Sequence, residues 1–249
     1  MQSRTFDDEI FSKISHIFFS PETETEALVI RMHGLPGRSP FSETQLLGKF
    51  LTDVGIAFFA FDFPGIRKSE GYYTYRNSYN IAKKVLDYFA TEHEEIYPKI
   101  GIYGESFGGS ISVCLTNFSS IVSALFLWSP VLNFNVLSSE IQIPLIIKFM
   151  EDSGVVRLPH YDDFFAAFQT QLTLNPPENH HKIFEKIPTL ITCSDTDLLF
   201  PPSVIRKQLD HKYHSLLEVQ SNLDHNLERN NSSTKLAEVA KSFFEKSLL

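Results

Sequence analysis

K-I-G-I-Y-G-E-S-F-G-G-S-I-S-V-C-L-T, residues 99–116, reads as a short buried strand that turns abruptly into a helix around one serine. Ile100, Ile102 and Tyr103 are β-branched or aromatic and suit a strand, whereas Ile111, Val113, Cys114 and Leu115 continue at helical spacing. Between them lies Gly104-Glu105-Ser106-Phe107-Gly108, a G-x-S-x-G pattern. Its glycines leave room for a strained backbone at the serine and for close packing of strand on helix, as in a nucleophile elbow. A hydroxyl at that point sits at a helix N-terminus, where unpaired N–H groups and the dipole favour a developing oxyanion. Taken alone the pattern can also be read as a Gly/Ser turn capping a helix, so its context has to decide.

The 249 residues suit one α/β domain with a modest insertion, and 43% hydrophobic residues supply a sizeable core. A net charge of −8 argues against a nucleic-acid partner, which requires clustered Lys and Arg. No stretch is apolar for the length that spans a bilayer, and the N-terminus lacks the basic-then-apolar order of a signal peptide; the expectation is a cytoplasmic protein. Cys114 and Cys193 each fall in an apolar element and are expected as reduced core thiols. His180/His181 and His211/His214 lack a cysteine or carboxylate set at recognisable spacing, so both pairs read as solvated surface, with no metal and no cofactor expected.

Strands are expected at 14–19 and 27–32, separated by a polar turn. The second runs into His33-Gly34-Leu35-Pro36-Gly37, a turn suited to donating an N–H to an oxyanion, which falls at Leu35; Pro36 holds Leu35 away from helical dihedrals. Ser42-Glu43-Thr44-Gln45 reads as a capping box for a helix to Val54. Further strands are expected at 56–62, 121–128, 189–193 and 215–219, and helices at 78–90, 202–209 and 232–248. This alternation implies a mainly parallel sheet with helices on both faces. Residues 129–186 interrupt it with helical patterns at 141–150 and 161–172, read as a helical cap insertion. There Phe164, Phe165 and Phe168, with Ile146, Ile147, Phe149 and Met150, either wall an acyl pocket or form the core of two extra helices.

A serine hydroxyl is a weak nucleophile until a base removes its proton, and the base needs an acid to hold its tautomer. Ser106, Asp197 and His225 each follow an apolar strand, and such loops emerge together at the carboxyl edge of a parallel sheet. Of the nine histidines, His225 alone lies between the last strand and the last helix. Asp195 and Asp197 both qualify as the acid; Asp197 is preferred because it lies further into its loop. The alternative position after the strand that follows the elbow is closed, because Ser129 to Ser139 holds no Asp or Glu. Asp224, adjacent to His225, reads as a loop residue.

His33-Gly34, Asp62-Phe63-Pro64-Gly65 with Ser69-Glu70-Gly71, the elbow, Asp197 with Pro201, and His225 together resemble the α/β-hydrolase superfamily. The nearest branch contains serine aminopeptidase-like hydrolases, cinnamoyl and feruloyl esterases and monoacylglycerol lipases. The resemblance covers residues 30–128 and 187–248 and implies the α/β-hydrolase fold. It also implies Ser106 as nucleophile, His225 as base, Asp197 as acid, and the Leu35 and Phe107 N–H groups as oxyanion hole. Ile66-Arg67-Lys68 departs from the usual glycine and histidine after Asp62, and Cys193-Ser194 replaces a glycine before Asp195.

The function this reading leads to is hydrolysis of a small-molecule carboxylic ester or thioester through an acyl-serine intermediate. Amide or peptide cleavage, acyl transfer and a non-catalytic binding role on the same fold are the alternatives.

Overall fold

The computed structural model describes residues 9–35, 41–91, 93–136, 143–160, 176–225, 227 and 231–249. Among the described residues seven strands form one sheet: β1 (His16–Phe19), β2 (Ala27–Met32), β3 (Ala57–Phe61), β4 (Lys99–Glu105), β5 (Val122–Trp128), β6 (Thr189–Ser194) and β7 (Leu217–Gln220). Their order is β1-β3-β2-β4-β5-β6-β7. Every pairing is parallel except β1 with β3. The mainly parallel sheet expected from the alternation is observed, and with it the α/β-hydrolase fold that the resemblance implied.

Helices α1 (Glu9–Lys13), α2 (Phe41–Thr52), α3 (Tyr75–Thr91), α4 (Phe107–Phe118), α5 (Ile143–Asp152), α6 (Pro202–Lys207) and α7 (Ser232–Leu248) accompany the sheet, with 3₁₀ turns at Pro177–Glu185 and His211–Leu216. All six residues of β2 are buried, as a strand covered on both faces requires. Side chains alternate between two cores with the period of a strand. Leu28, Ile30 and Met32 join the cluster holding α3 and α4 residues, while Ala27 and Val29 join the one holding α2 and α7 residues.

The strand order positions the site. From β2 the chain moves to one side of the sheet and from β4 to the other, which opens a crevice between their carboxyl ends. The loop carrying Leu35 and the turn carrying Ser106 therefore meet there.

Boundaries differ from the sequence reading in places, each with a local cause. Helix α3 starts at Tyr75 and not Ser78, because the Thr74 hydroxyl accepts the Asn77 N–H at 3.0 Å and caps it. Helix α2 starts at Phe41, ahead of the expected Ser42 cap. The last strand begins only at Leu217, because 211–216 wind into a 3₁₀ turn. In the insertion, α5 covers 143–152, and its Ile147 and Met150 are buried in the main core. The expected helix at 161–172, with Phe164, Phe165 and Phe168, lies outside the described residues, as do the side chains of Ile146 and Phe149. Among the described residues no helix is long and apolar enough to cross a membrane. Cys114 and Cys193 are both buried and are not joined in a disulfide.

Candidate active site

β4 ends at Glu105 and α4 begins at Phe107, so Ser106 alone makes the turn, with φ 49° and ψ −118°. A non-glycine residue there carries roughly 1–3 kcal/mol of strain and persists only where its surroundings over-determine it. They do: the Ser106 N–H donates to the Trp128 carbonyl at 2.9 Å, and the Ser106 carbonyl accepts the Gly109 and Val131 N–H groups at 3.0 Å each. The start of α4 lies directly on the end of β2. A Cβ at Gly108 would stand 2.1 Å from the Met32 carbonyl oxygen, so only glycine permits the approach. A Cβ at Gly34 would meet the Ser106 Cβ at 3.0 Å, which brings the loop after β2 against the serine.

His33 fixes that loop. The Phe63 N–H can only donate and reaches His33 Nε2 at 3.0 Å, so the imidazole carries its proton on Nδ1 and donates it to the Gly34 carbonyl at 2.7 Å. Pinning this carbonyl orients the whole Gly34–Leu35 peptide plane, with the Leu35 N–H on the opposite side. Phe107 opens α4, where N–H groups have no intrahelical acceptor. The direction of the Leu35 N–H is thus set by a histidine clamp; Pro36, which the sequence put in that role, lies outside the described residues.

Burial, with the Arg31 charge second, pushes His33 down from 6.5 to about 3. The sign follows from linkage. The unfolded chain takes up a proton below pH 6.5 and the native imidazole does not, so stability is complete above 6.5 and falls as pH drops toward 3. Between pH 7 and 5, His33 should cost about 2 kcal/mol of unfolding free energy. Burial lowers His180 and His181 in the same direction. In urea titrations at the two pH values, His33→Asn should be less stable at pH 7 and show a shallower decline. An unchanged decline would place the proton uptake elsewhere.

Asp197 and His225 are in direct contact, Oδ2 to Nδ1 at 2.8 Å, with side-chain exposures of 0% and 11%. The Leu199 and Phe200 N–H groups donate to Oδ1 at 2.9 and 2.8 Å, and the Ser129 hydroxyl donates to Oδ2 at 2.7 Å. Burial pushes the Asp197 carboxyl up, but His225 and the other donors outweigh it and hold the group below the ordinary carboxylate value. An ionised Asp197 keeps the His225 proton on Nδ1 and leaves Nε2 with its lone pair. Phe200 packs against the imidazole with ring centroids 5.2 Å apart. Asp195 is exposed and serves a different contact, accepting the Asn222 N–H at 2.9 Å in the turn that leads to His225.

The end of β5 joins these parts. Trp128 accepts the Ser106 N–H through its carbonyl and donates its indole N–H to the His225 carbonyl at 3.3 Å, and Ser129 follows with its hydroxyl on Asp197.

Beneath the elbow, Arg31 holds Glu105 in a two-pronged ion pair (Nε–Oε1 3.1 Å, Nη2–Oε2 2.6 Å) and donates to the Thr44 hydroxyl at 2.9 Å. At the departure after Asp62, Arg67 adopts φ 47° and pairs with the Asp62 carboxylate at 2.6 Å. Ser129, Arg31 and Glu105 were not singled out by sequence. The Arg31–Glu105 contact joins residues 74 apart in the chain, which no local pattern reveals.

The reading of His180 and His181 as solvated surface is corrected: both are buried, at 8% and 6% exposure. The 3₁₀ turn folds them inward, where His181 Nε2 meets the Leu132 carbonyl at 2.9 Å and its ring stacks on Phe184. Among the described residues no group of three or more His, Cys, Asp or Glu is arranged to hold a metal ion.

A family profile described as serine aminopeptidase, S33, matches residues 23–162, more than half of the chain. The chain belongs to this family. Solved structures agree on the fold of this S33 member. Est1E from Butyrivibrio proteoclasticus superposes with a TM-score of 0.72 at 18% identity, covering 94% of each chain. A monoacylglycerol lipase from Paleococcus ferrophilus gives 0.66 at 18% identity, covering 94% of this chain and 99% of that one. An esterase from Pyrococcus furiosus gives 0.65 at 15% identity, covering 100% and 96%. A search of curated proteins gave no match. The chain is therefore a member of an α/β serine hydrolase family.

Proposed function

We propose that this chain hydrolyses a carboxylic ester or thioester through an acyl-Ser106 intermediate. The observation that carries the reading is the one-residue turn at Ser106, φ 49°, with the buried Asp197–His225 pair tied to the same strand end. His225 Nε2 takes the Ser106 proton as Oγ bonds to the substrate carbonyl carbon, and the Leu35 and Phe107 N–H groups receive the oxyanion. Collapse expels the alcohol or thiol, which leaves with the proton from His225. A water then gives a proton to His225 and attacks the acyl group; the acid departs and Ser106 Oγ is reprotonated.

The insertion at 129–186 serves as the cap in this proposal; Phe164, Phe165 and Phe168, the acyl-pocket candidates of the sequence, lie outside the described residues. An apolar acyl group suits the exposed Tyr72, Leu198 and Leu199, in the loops after β3 and β6. Est1E has been solved with ferulic acid bound, and other neighbours are named as lipase and esterase, which favours esters. The family description, serine aminopeptidase, favours a second reading, amide cleavage on the same residues.

A panel of p-nitrophenyl esters and acyl thioesters of rising chain length, run beside aminoacyl p-nitroanilides, separates these. Esters should be cleaved faster than anilides, and kcat/KM should rise about threefold to fourfold per added methylene until the pocket is full. Faster anilide cleavage would turn the assignment to the amide. A fluorophosphonate that fails to label Ser106 in folded protein would overturn both and leave a non-catalytic role.

A further inference from the structure

Ser129 stands at the end of β5 with φ 41°, in the left-handed region. Its side chain is fully buried and its N–H donates to the Thr192 carbonyl in β6 at 2.7 Å. The chain before and after it is bound to the elbow, the Trp128 carbonyl to the Ser106 N–H and, beyond Pro130, the Val131 N–H to the Ser106 carbonyl. The sequence continues Ser129-Pro130, and proline disfavours the helical region for the residue before it without rewarding a positive φ. A glycine would relieve the backbone cost at this position. What a glycine cannot supply is the hydroxyl, 2.7 Å from Asp197 Oδ2.

Asp197 is held at two points. Its Oδ1 accepts two N–H groups from its own loop, which anchors one oxygen but leaves the carboxylate free to pivot about it. The Ser129 hydroxyl comes from a different strand and fixes the second oxygen, the same Oδ2 that accepts from His225 Nδ1. A carboxylate can only accept, so the serine proton points at Oδ2 and two donors share that oxygen.

We propose that Ser129 is a positioning residue for the reaction, its hydroxyl setting the plane of the Asp197 carboxylate and through it the orientation of the His225 ring. This rests on the triad reading given above. Ser129 sits beneath the acid and is buried, so its removal acts on turnover and leaves substrate binding unchanged. The strained turn exists to deliver the hydroxyl, a placement that an extended residue at the end of β5 would not give.

The test compares Ser129→Gly with Ser129→Ala. Both remove the hydroxyl; glycine relieves the left-handed backbone and alanine does not. Loss of one hydrogen bond to a charged group corresponds to a fall in kcat of roughly ten- to hundredfold. Both variants should show it per folded molecule, with KM within about twofold of wild type, although their melting temperatures differ. The low-field proton resonance of His225 Nδ1–H should move in both. That resonance is read in a Ser106→Ala background as well, so it reports on the Asp197–His225 geometry whether or not Ser106 is the nucleophile. Wild-type kcat in both variants with an unmoved resonance overturns the proposal, and so does a fall in kcat that follows melting temperature and spares the glycine variant. Retained activity in Ser106→Ala alone overturns the triad reading and leaves the resonance test standing.

Discussion

Ser106→Ala should fold like the wild type and lose ester hydrolysis by on the order of a hundred-thousandfold or more in kcat. Folding is spared because alanine meets the same backbone at φ 49° that serine does, and the turn is held by main-chain bonds to Trp128, Gly109 and Val131 that the substitution leaves intact. Catalysis is lost because alanine has no Oγ to bond to the substrate carbonyl carbon. His225→Ala should fall to a similar level by removing the base, and the double variant should be little worse than either single one. Residues that act as one unit lose their joint effect at the first removal. Circular dichroism and burst kinetics on a p-nitrophenyl ester give the two readouts. A kcat within tenfold of wild type in either variant would assign the chemistry to other residues.

Much of this arrangement was legible because it is written in local signals. The alternation of apolar strands with amphipathic helices gave the parallel sheet. Glycines at 104 and 108 flagged the elbow, since a Cβ at residue 108 would stand only 2.1 Å from the Met32 carbonyl oxygen. Chain order then brought Ser106, Asp197 and His225 forward, because loops after successive parallel strands open on one edge. The capping of α3 by Thr74 was equally local and could have been read from Thr74-Tyr75-Arg76-Asn77.

What escaped the sequence depends on partners far along the chain. Arg31 and Glu105 are 74 residues apart, and nothing near either announces a buried ion pair. Breaking such a pair by removing one partner typically costs about 3–5 kcal/mol, so it matters to the elbow although no pattern reveals it. His180 and His181 lie in a polar stretch that looks solvent-facing. Their burial comes from the 3₁₀ turn and from the Leu132 carbonyl, 49 residues before His181. Ser129 was hidden differently: a residue before proline reads as extended, and its positive φ is imposed by β6 and the elbow. His33 was read as part of an oxyanion loop, but the clamp needs the Phe63 N–H, which only the pairing of β2 with β3 brings near.

Asp197→Asn should lower kcat by on the order of a thousandfold or more, and Asp195→Asn should leave it within a few fold. The hydrogen bonds decide the direction. In the asparagine variant the side-chain oxygen stays with the Leu199 and Phe200 N–H groups, which can only donate, so the NH₂ takes the place of Oδ2 and faces Ser129 and His225. Ser129 can rotate its hydroxyl to accept, which spares the fold. His225 cannot adapt without cost: its Nδ1 must now accept, its proton moves to Nε2, and the nitrogen that should take the Ser106 proton is already protonated. Asp195 keeps its contact on substitution, because an asparagine oxygen still accepts the Asn222 N–H, and its exposed position puts no buried charge at stake. Steady-state kinetics of the two variants on one ester should therefore separate by at least two orders of magnitude. The reverse ranking would move the acid to Asp195 and require His225 to turn away from the carboxylate that it contacts at 2.8 Å.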